Sequence, residues 1–306
     1  MIITDPDPYL LPTYRLSPFV TRDVHSNARL ANDGHLADTY FAQRFAQRHF
    51  VYTPNGRTAL NIALSYYHLG AEDVVTILTT SGNRYISSCV TREIEKFCRW
   101  SMKIEPNTKV VLVNHEFGYP YSDLAGVASL GYPIIEDCAY SFASEDSRQA
   151  IGRAGDFALY SLPKYFPVQV GGVLTAREGI PLPTVAMADG LLRYIKKTLT
   201  RYLPELDKVK KQRLANYRWL LGRLSPLGCA ARLSLAEGTV PGVFLFTVPE
   251  GADPVKMKSF LQGRGIQCSV FYGEQAFYVP VHQRLQEEDL QYIAENMKES
   301  IRKTDD

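Results

Sequence analysis

Lys164 stands between Pro163 and the aromatic pair Tyr165-Phe166, in a stretch from Tyr160 to Thr175 that closes on Gly171-Gly172 followed by Val173 and Leu174. An amine attacks a carbonyl carbon only when unprotonated. Partial desolvation by Pro163, Tyr165 and Phe166 would lower the pKa of Lys164 toward that state. A lysine so placed is a candidate Schiff-base nucleophile. Residue type alone also allows the plain alternative, one of 34 basic residues on a loop facing water.

Upstream features narrow that choice. Asn55-Gly56 precedes a segment, Arg57 to Leu69, rich in Ala, Leu and Ile on nearly all faces, which reads as a buried helix opening at a turn. Glycine lets a ligand approach the backbone, and the free amides of a first helical turn make an anion site. A plain helix start is the alternative. Asp137 follows Ile134-Ile135-Glu136 directly, which puts a carboxylate at a strand end, either for a ligand or merely to cap a turn with Ser141.

The elements that must position these residues alternate. Strands are expected at His49 to Tyr52, Val74 to Leu78, Lys109 to Asn114, Tyr132 to Glu136 and Phe157 to Ser161, with Gly171 to Thr175 returning. Helices are expected at Ala37 to Phe45, Arg57 to Leu69, Tyr85 to Phe97 and Ser122 to Ser129. Such alternation implies a mostly parallel sheet with right-handed crossovers, flanked by helices. Ligands of such sheets bind beyond the carboxyl ends of the strands, where Thr80, His115 and Asp137 would stand.

Before this core, the residues up to Asp33 lack periodicity and suggest an extended arm packed against a partner subunit. After it, Met187 to Lys211 is basic and amphipathic, read as a solvated helix face or subunit contact in preference to a phosphate site. A helix at Gln212 to Leu224 leads to a smaller α+β unit, with strands at Val243 to Val248 and Ile266 to Phe271 and helices at Pro254 to Arg264 and Glu287 to Ile301. The expected division is an arm and large α/β domain over residues 1–205 and a small C-terminal α+β domain over 206–306.

With 306 residues and 45% hydrophobic content, the chain can bury a large core and is too apolar for disorder. Its net charge of +2 offers no bulk attraction to nucleic acid or membrane. Five scattered cysteines, never in a Cys-x-x-Cys spacing, argue against disulfides and a structural metal. The start lacks a secretory leader pattern and no stretch is apolar enough to span a bilayer, so a cytoplasmic protein is expected.

Five local motifs carry a family resemblance: Asn-Gly-Arg-Thr-Ala-Leu (55 to 60), Val-Asn-His-Glu-Phe-Gly-Tyr-Pro (113 to 120), Ile-Ile-Glu-Asp-Cys-Ala-Tyr (134 to 140), Ser-Leu-Pro-Lys through Gly-Gly (161 to 172), and Tyr-Val-Pro-Val-His-Gln-Arg-Leu-Gln-Glu-Glu-Asp-Leu (278 to 290). In this order and spacing the chain resembles the fold-type-I pyridoxal-phosphate (PLP) enzymes, and more closely the DegT-type nucleotide-sugar aminotransferases.

The resemblance implies that Lys164 holds pyridoxal 5'-phosphate and then moves the substrate's α-proton, while Asp137 keeps the pyridine nitrogen protonated. It places Gly56, Arg57, Thr58 and Ser161 at the cofactor phosphate, Tyr140 and His115 near the ring, and Tyr85 as the stacking aromatic. The substrates implied are small molecules, an amino acid such as glutamate and a keto-sugar carried on a nucleotide, in polysaccharide or secondary-metabolite sugar synthesis. A homodimer is implied as well.

Departures from the family pattern keep two other readings open, a PLP-dependent sugar dehydratase and a catalytically inactive binding or regulatory protein. A strand and loop between Phe97 and Lys109 are expected to be lost. Ser161 lies three residues before the lysine, where the family spaces them wider. The Gly-Tyr-Asn-Tyr-Arg-type segment that reaches a neighbouring subunit's site has no counterpart after Gly172.

Overall fold

Val110 to Val113 are fully buried, as a continuous apolar run requires of a strand covered on both faces. The structure, a computed structural model, describes residues 13–148 and 150–302. In chain order the first elements are α1 (Arg22–Ala28), α2 (His35–Arg44), β1 (Arg48–Thr53), α3 (Gly56–Ser65), β2 (Val74–Thr79), α4 (Ser88–Ile94), β3 (Arg99–Ser101), β4 (Thr108–Asn114), α5 (Leu124–Ser129), β5 (Ile134–Asp137), β6 (Phe157–Ser161) and β7 (Gly172–Arg177). They are followed by α6 (Asp189–Tyr202), α7 (Leu206–Leu224), β8 (Ala230–Ala231), β9 (Phe244–Thr247), α8 (Pro254–Gln262), β10 (Ser269–Val270), β11 (Ala276–Val279) and α9 (Glu287–Arg302).

Seven strands form one sheet in the order β1-β7-β6-β5-β4-β2-β3. Pairings among β3, β2, β4, β5 and β6 are parallel, and β7 runs against both its neighbours. This is the expected α/β architecture. It brings the carboxyl ends of β2, β4, β5 and β6 to one edge, because parallel strands share one direction. Ala59, Leu60, Ala63 and Leu64 of α3 pack with Val75, Ile77, Leu112 and Leu159 of the sheet, while Phe41, Phe45, Phe142 and Tyr160 fill a second core toward α2 and α6.

The four-stranded antiparallel sheet, β10-β11-β9-β8, has its own core with α7, α8 and α9, built on Phe244, Phe246, Phe277, Met257 and Met297. Where the two sheets approach, Phe117 and Tyr119 meet Val243, Leu245, Phe271, Ala276 and Tyr278.

Several elements differ from expectation. The helix expected from Tyr85 begins only at Ser88, because the Asn83 side chain accepts from the Tyr85 N–H and Ser87 caps the helix. The strand expected to be lost is present as β3, three residues paired with β2 at the sheet edge. The second strand of the small sheet shrinks to Ser269–Val270, and β11, fully buried, takes the pairing with β9.

The arm also departs from its expected extended form. Its described part turns helical at α1 and lies on its own chain: Tyr14 bridges to Ile266, stacks on Tyr292 at 5.0 Å and accepts from the Gln267 N–H. Residues 1–12 lie outside the described residues. The basic helix α6 likewise spends its charges locally, Lys196 on Asp38, Lys197 on the Leu30 carbonyl and Arg201 on Glu205. No helix among the described residues is long and apolar enough to cross a membrane.

Candidate active site

Lys164 sits in a tight turn between β6 and β7. The turn is closed where the Leu162 N–H donates to the Gly171 carbonyl and the Gly171 N–H donates to Pro54. Gly171 takes a φ of 103°, a left-handed conformation that suits glycine, and a Cβ on Gly172 would lie 2.6 Å from Thr53 Oγ1. The two glycines therefore let β7 pass close to the start of α3, which brings Lys164 and the Asn55-Gly56 turn to one place.

A cavity of about 590 Å³ opens there. Its wall includes Gly56, Arg57, Tyr85, Asp137, Tyr140, Ser161 and Lys164, seven of the nine residues singled out from the sequence. The other two stay out of the wall. Thr58 spends its backbone N–H and its hydroxyl on the Asn55 side chain, at 3.0 and 3.3 Å, as part of the helix cap. His115 is buried behind the wall, its Nε2 3.1 Å from Glu136 and its Nδ1 accepting from the Tyr121 N–H. Because Nδ1 accepts, the ring proton sits on Nε2 and faces the Glu136 carboxylate.

Glu136 is a structural hub. Its two oxygens also accept from the Gly152 and Gly155 N–H groups, each at 2.7 Å, so the carboxylate is held by donors in a fully buried position. His115, Glu136 and Cys138 come together in the interior, but hydrogen bonds already engage the first two.

Asp137 points the other way along the same strand. One oxygen accepts from the Ala139 N–H at 2.9 Å. Burial raises its pKa above the ordinary carboxylate value, and the Ala139 bond, His115 and Lys164 pull against that rise. Such a carboxylate is poised to gain from a cationic group placed in the cavity.

At the other end, Asn55 caps α3 through its side chain, which leaves the Gly56 and Arg57 N–H groups directed out of the helix. A Cβ on Gly56 would lie 3.3 Å from Ser161 Cβ, so the Ser161 side chain stands over the helix start. The pair forms a cradle of donors for an anion.

The Lys164 amine differs from expectation. Its aromatic contact is Tyr140, whose hydroxyl accepts from Nζ at 3.0 Å, whereas Tyr165 and Phe166 turn into the core against Phe142. The Tyr140 contact raises the lysine's pKa and outweighs burial, which acts to lower it. Desolvation by the sequence neighbours therefore does not set its protonation.

Other wall residues escaped the sequence reading. Glu116 accepts from the Ser81 N–H at 2.6 Å, leaves its other oxygen unpartnered, and has a pKa raised by burial. Phe117 takes a φ of 50° to place its ring 4.9 Å from that of Tyr278. Tyr278, from the small sheet, shares a 2.9 Å hydrogen bond with Tyr85. Asn55 had a local signal, the Asn-Gly pair before an apolar run; Tyr278 reaches the wall only through the packing of the two sheets. Thr80 stands at the strand edge but donates to the Tyr119 carbonyl.

No protein-family model and no curated protein sequence matches the chain. Solved structures do. The aminotransferase TlmJ from Streptoalloteichus hindustanus superposes with a TM-score of 0.73 at 18% identity, over 95% of this chain and 99% of that one. A putative sugar aminotransferase from Streptococcus pneumoniae in its PLP form gives 0.74 at 14% identity, over 97% and 100%. A DegT DnrJ EryC1 StrS aminotransferase from Brucella abortus gives 0.69 at 14%, over 91% and 93%. The chain has the fold of these aminotransferases along essentially its whole length.

Proposed function

We propose that this chain is a PLP-dependent aminotransferase acting on a keto-sugar. The observation that carries the reading is the convergence, in one cavity, of an amine, a buried carboxylate and an anion cradle contributed by four separate elements. Each fits a different part of the cofactor. The Gly56 and Arg57 N–H groups and the Ser161 hydroxyl would hold the phosphate, Asp137 would face the pyridine nitrogen, and Lys164 would hold the aldehyde carbon covalently. The fit is physical: Asp137, raised by burial, gains most from a cationic ring nitrogen, and the rings of Tyr85, Phe117 and Tyr140 offer apolar walls.

Bound there, the cofactor would supply an electron sink for the carbon that loses its α-proton. The chain's own residues would do the rest. Asp137 would keep the ring nitrogen protonated, each pKa unit of that pairing being worth about 1.4 kcal/mol. Lys164, freed by the incoming amine, would take the α-proton and return it to the neighbouring carbon. Glutamate as donor, a nucleotide-linked keto-sugar as acceptor and a homodimer complete the proposal, supported by the motif resemblance and the shared fold.

Purified protein with added PLP, beside Lys164→Ala, tests this by its visible spectrum. A yellow band that the variant lacks, and that borohydride fixes onto Lys164, is the expected result; no band in the wild type overturns it. Added glutamate should then convert the cofactor to its pyridoxamine form. Failure with every common amino donor favours a dehydratase or a binding protein, and sedimentation as a loaded monomer overturns the dimer.

A further inference from the structure

Among the described residues, the Tyr140 hydroxyl is the hydrogen-bond acceptor that Lys164 Nζ possesses, at 3.0 Å, and Nζ lies 4.6 Å from the centre of that ring. Among the described residues, no carboxylate forms an ion pair with the amine. The ring itself is clamped. A Cβ on Gly242 would lie 2.5 Å from Tyr140 Cδ1, so that glycine admits the ring, and Phe117 covers it with centroids 5.5 Å apart. The hydroxyl is thus held at the amine by packing on both sides.

The groups facing Lys164 come from three elements. Tyr140 and Asp137 stand at the end of β5, Cys89 lies in α4, and Arg213 of α7 donates to the Lys164 carbonyl. Tyr140 has the largest influence and favours the ammonium; burial opposes it, and Cys89 and Asp137 add to the Tyr140 effect.

We propose that Tyr140 is the positioning residue of the reactive amine, holding Nζ in both protonation states and setting the pH at which Lys164 gives up its proton. A phenol suits both states, since its oxygen accepts from an ammonium and its O–H donates to the lone pair of a neutral amine. When the amine is bared, the proton passes from Nζ to water at the cavity mouth and the hydroxyl turns from acceptor to donor, with no other bond made or broken. A raised pKa makes the bared amine a stronger proton acceptor, which a residue that moves a carbon-bound proton requires. This inference rests on the proposed role of Lys164, but its test uses neither cofactor nor substrate.

The test is trace acetylation of the full-length protein with acetic anhydride over a pH series, read at Lys164 by peptide mapping. In Tyr140→Phe the labelling midpoint of Lys164 should fall by about one pH unit, about tenfold more free amine at a given pH. Tyr140→Gln, which keeps an acceptor oxygen, should restore part of the shift. A midpoint unmoved in Tyr140→Phe overturns the proposal. Should both variants fail to fold by circular dichroism, the wild type decides: a Lys164 midpoint at or below those of the exposed Lys208 and Lys211 overturns it, and one above them supports it. A colourless wild type in the presence of PLP would sink the aminotransferase reading and leave this result standing.

Discussion

Arg213 Nη2 donates to the backbone carbonyl of Lys164 at 3.0 Å, from a guanidinium that is wholly buried in α7. The same side chain donates to Gln283 and to the Pro241 carbonyl and stacks 4.1 Å over Tyr165. All these acceptors are neutral, and burial lowers the arginine's pKa. The guanidinium therefore ties the lysine turn to the small sheet, and the interior tolerates it because each of its nitrogens is hydrogen-bonded. Replacement by Met would leave three acceptors bare, at roughly 1–3 kcal/mol each, partly offset by removing a buried charge. Arg213→Met should lose roughly 2–4 kcal/mol, read as a lower urea midpoint, and should loosen the Lys164 turn toward proteases.

His282 is buried beside Arg213 and Arg284, and its pKa is lowered to about 3, first by burial and then by those two charges. Between about pH 6.5 and 3 the unfolded chain would bind a proton there that the folded chain does not, so stability should fall as the pH drops through that window. The loss should reach a few kcal/mol. Denaturant unfolding at pH 7, 5 and 4 should show this slope, and His282→Leu should flatten it.

Asp137 has the opposite behaviour. Its raised folded pKa means that the folded chain holds the proton more tightly, so its contribution falls as the pH rises from the ordinary carboxylate value through the raised one. Without cofactor, Asp137→Asn should be at least as stable as the wild type at pH 7. Retention of PLP on gel filtration should nonetheless drop sharply, since the ring nitrogen loses its partner. Poorer stability with unchanged retention would contradict the assignment.

Gly56 tests the anion cradle. In Gly56→Ala the new methyl would crowd Ser161, but the helix gains a better former, so stability should stay within about 1 kcal/mol. Affinity for PLP should weaken at least about tenfold. Affinity for pyridoxal, which lacks the phosphate, should change little; equal losses for both would place the phosphate elsewhere.

Much of this was legible in the chain alone. The alternation of apolar strands and helices implies a mostly parallel sheet, and a parallel sheet delivers its strand ends to one edge, so Asp137 was expected at that edge. The Asn55-Gly56 turn and the Gly171-Gly172 pair carry their conformational requirements in their residue types. These features are local, and local sequence determines them.

Tertiary packing decided the rest. Thr58 and His115 occupy motif positions, yet one turns to the Asn55 cap and the other to Glu136, because competing hydrogen-bond partners lie next to them in space. Tyr278 joins the wall from more than a hundred residues downstream, through the pairing of β11 with β9. The protonation of Lys164 follows from Tyr140, 24 positions away, and not from the aromatic residues beside it in the chain. A side chain's charge state depends on what stands within a few ångströms of it, and only the folded chain sets that distance.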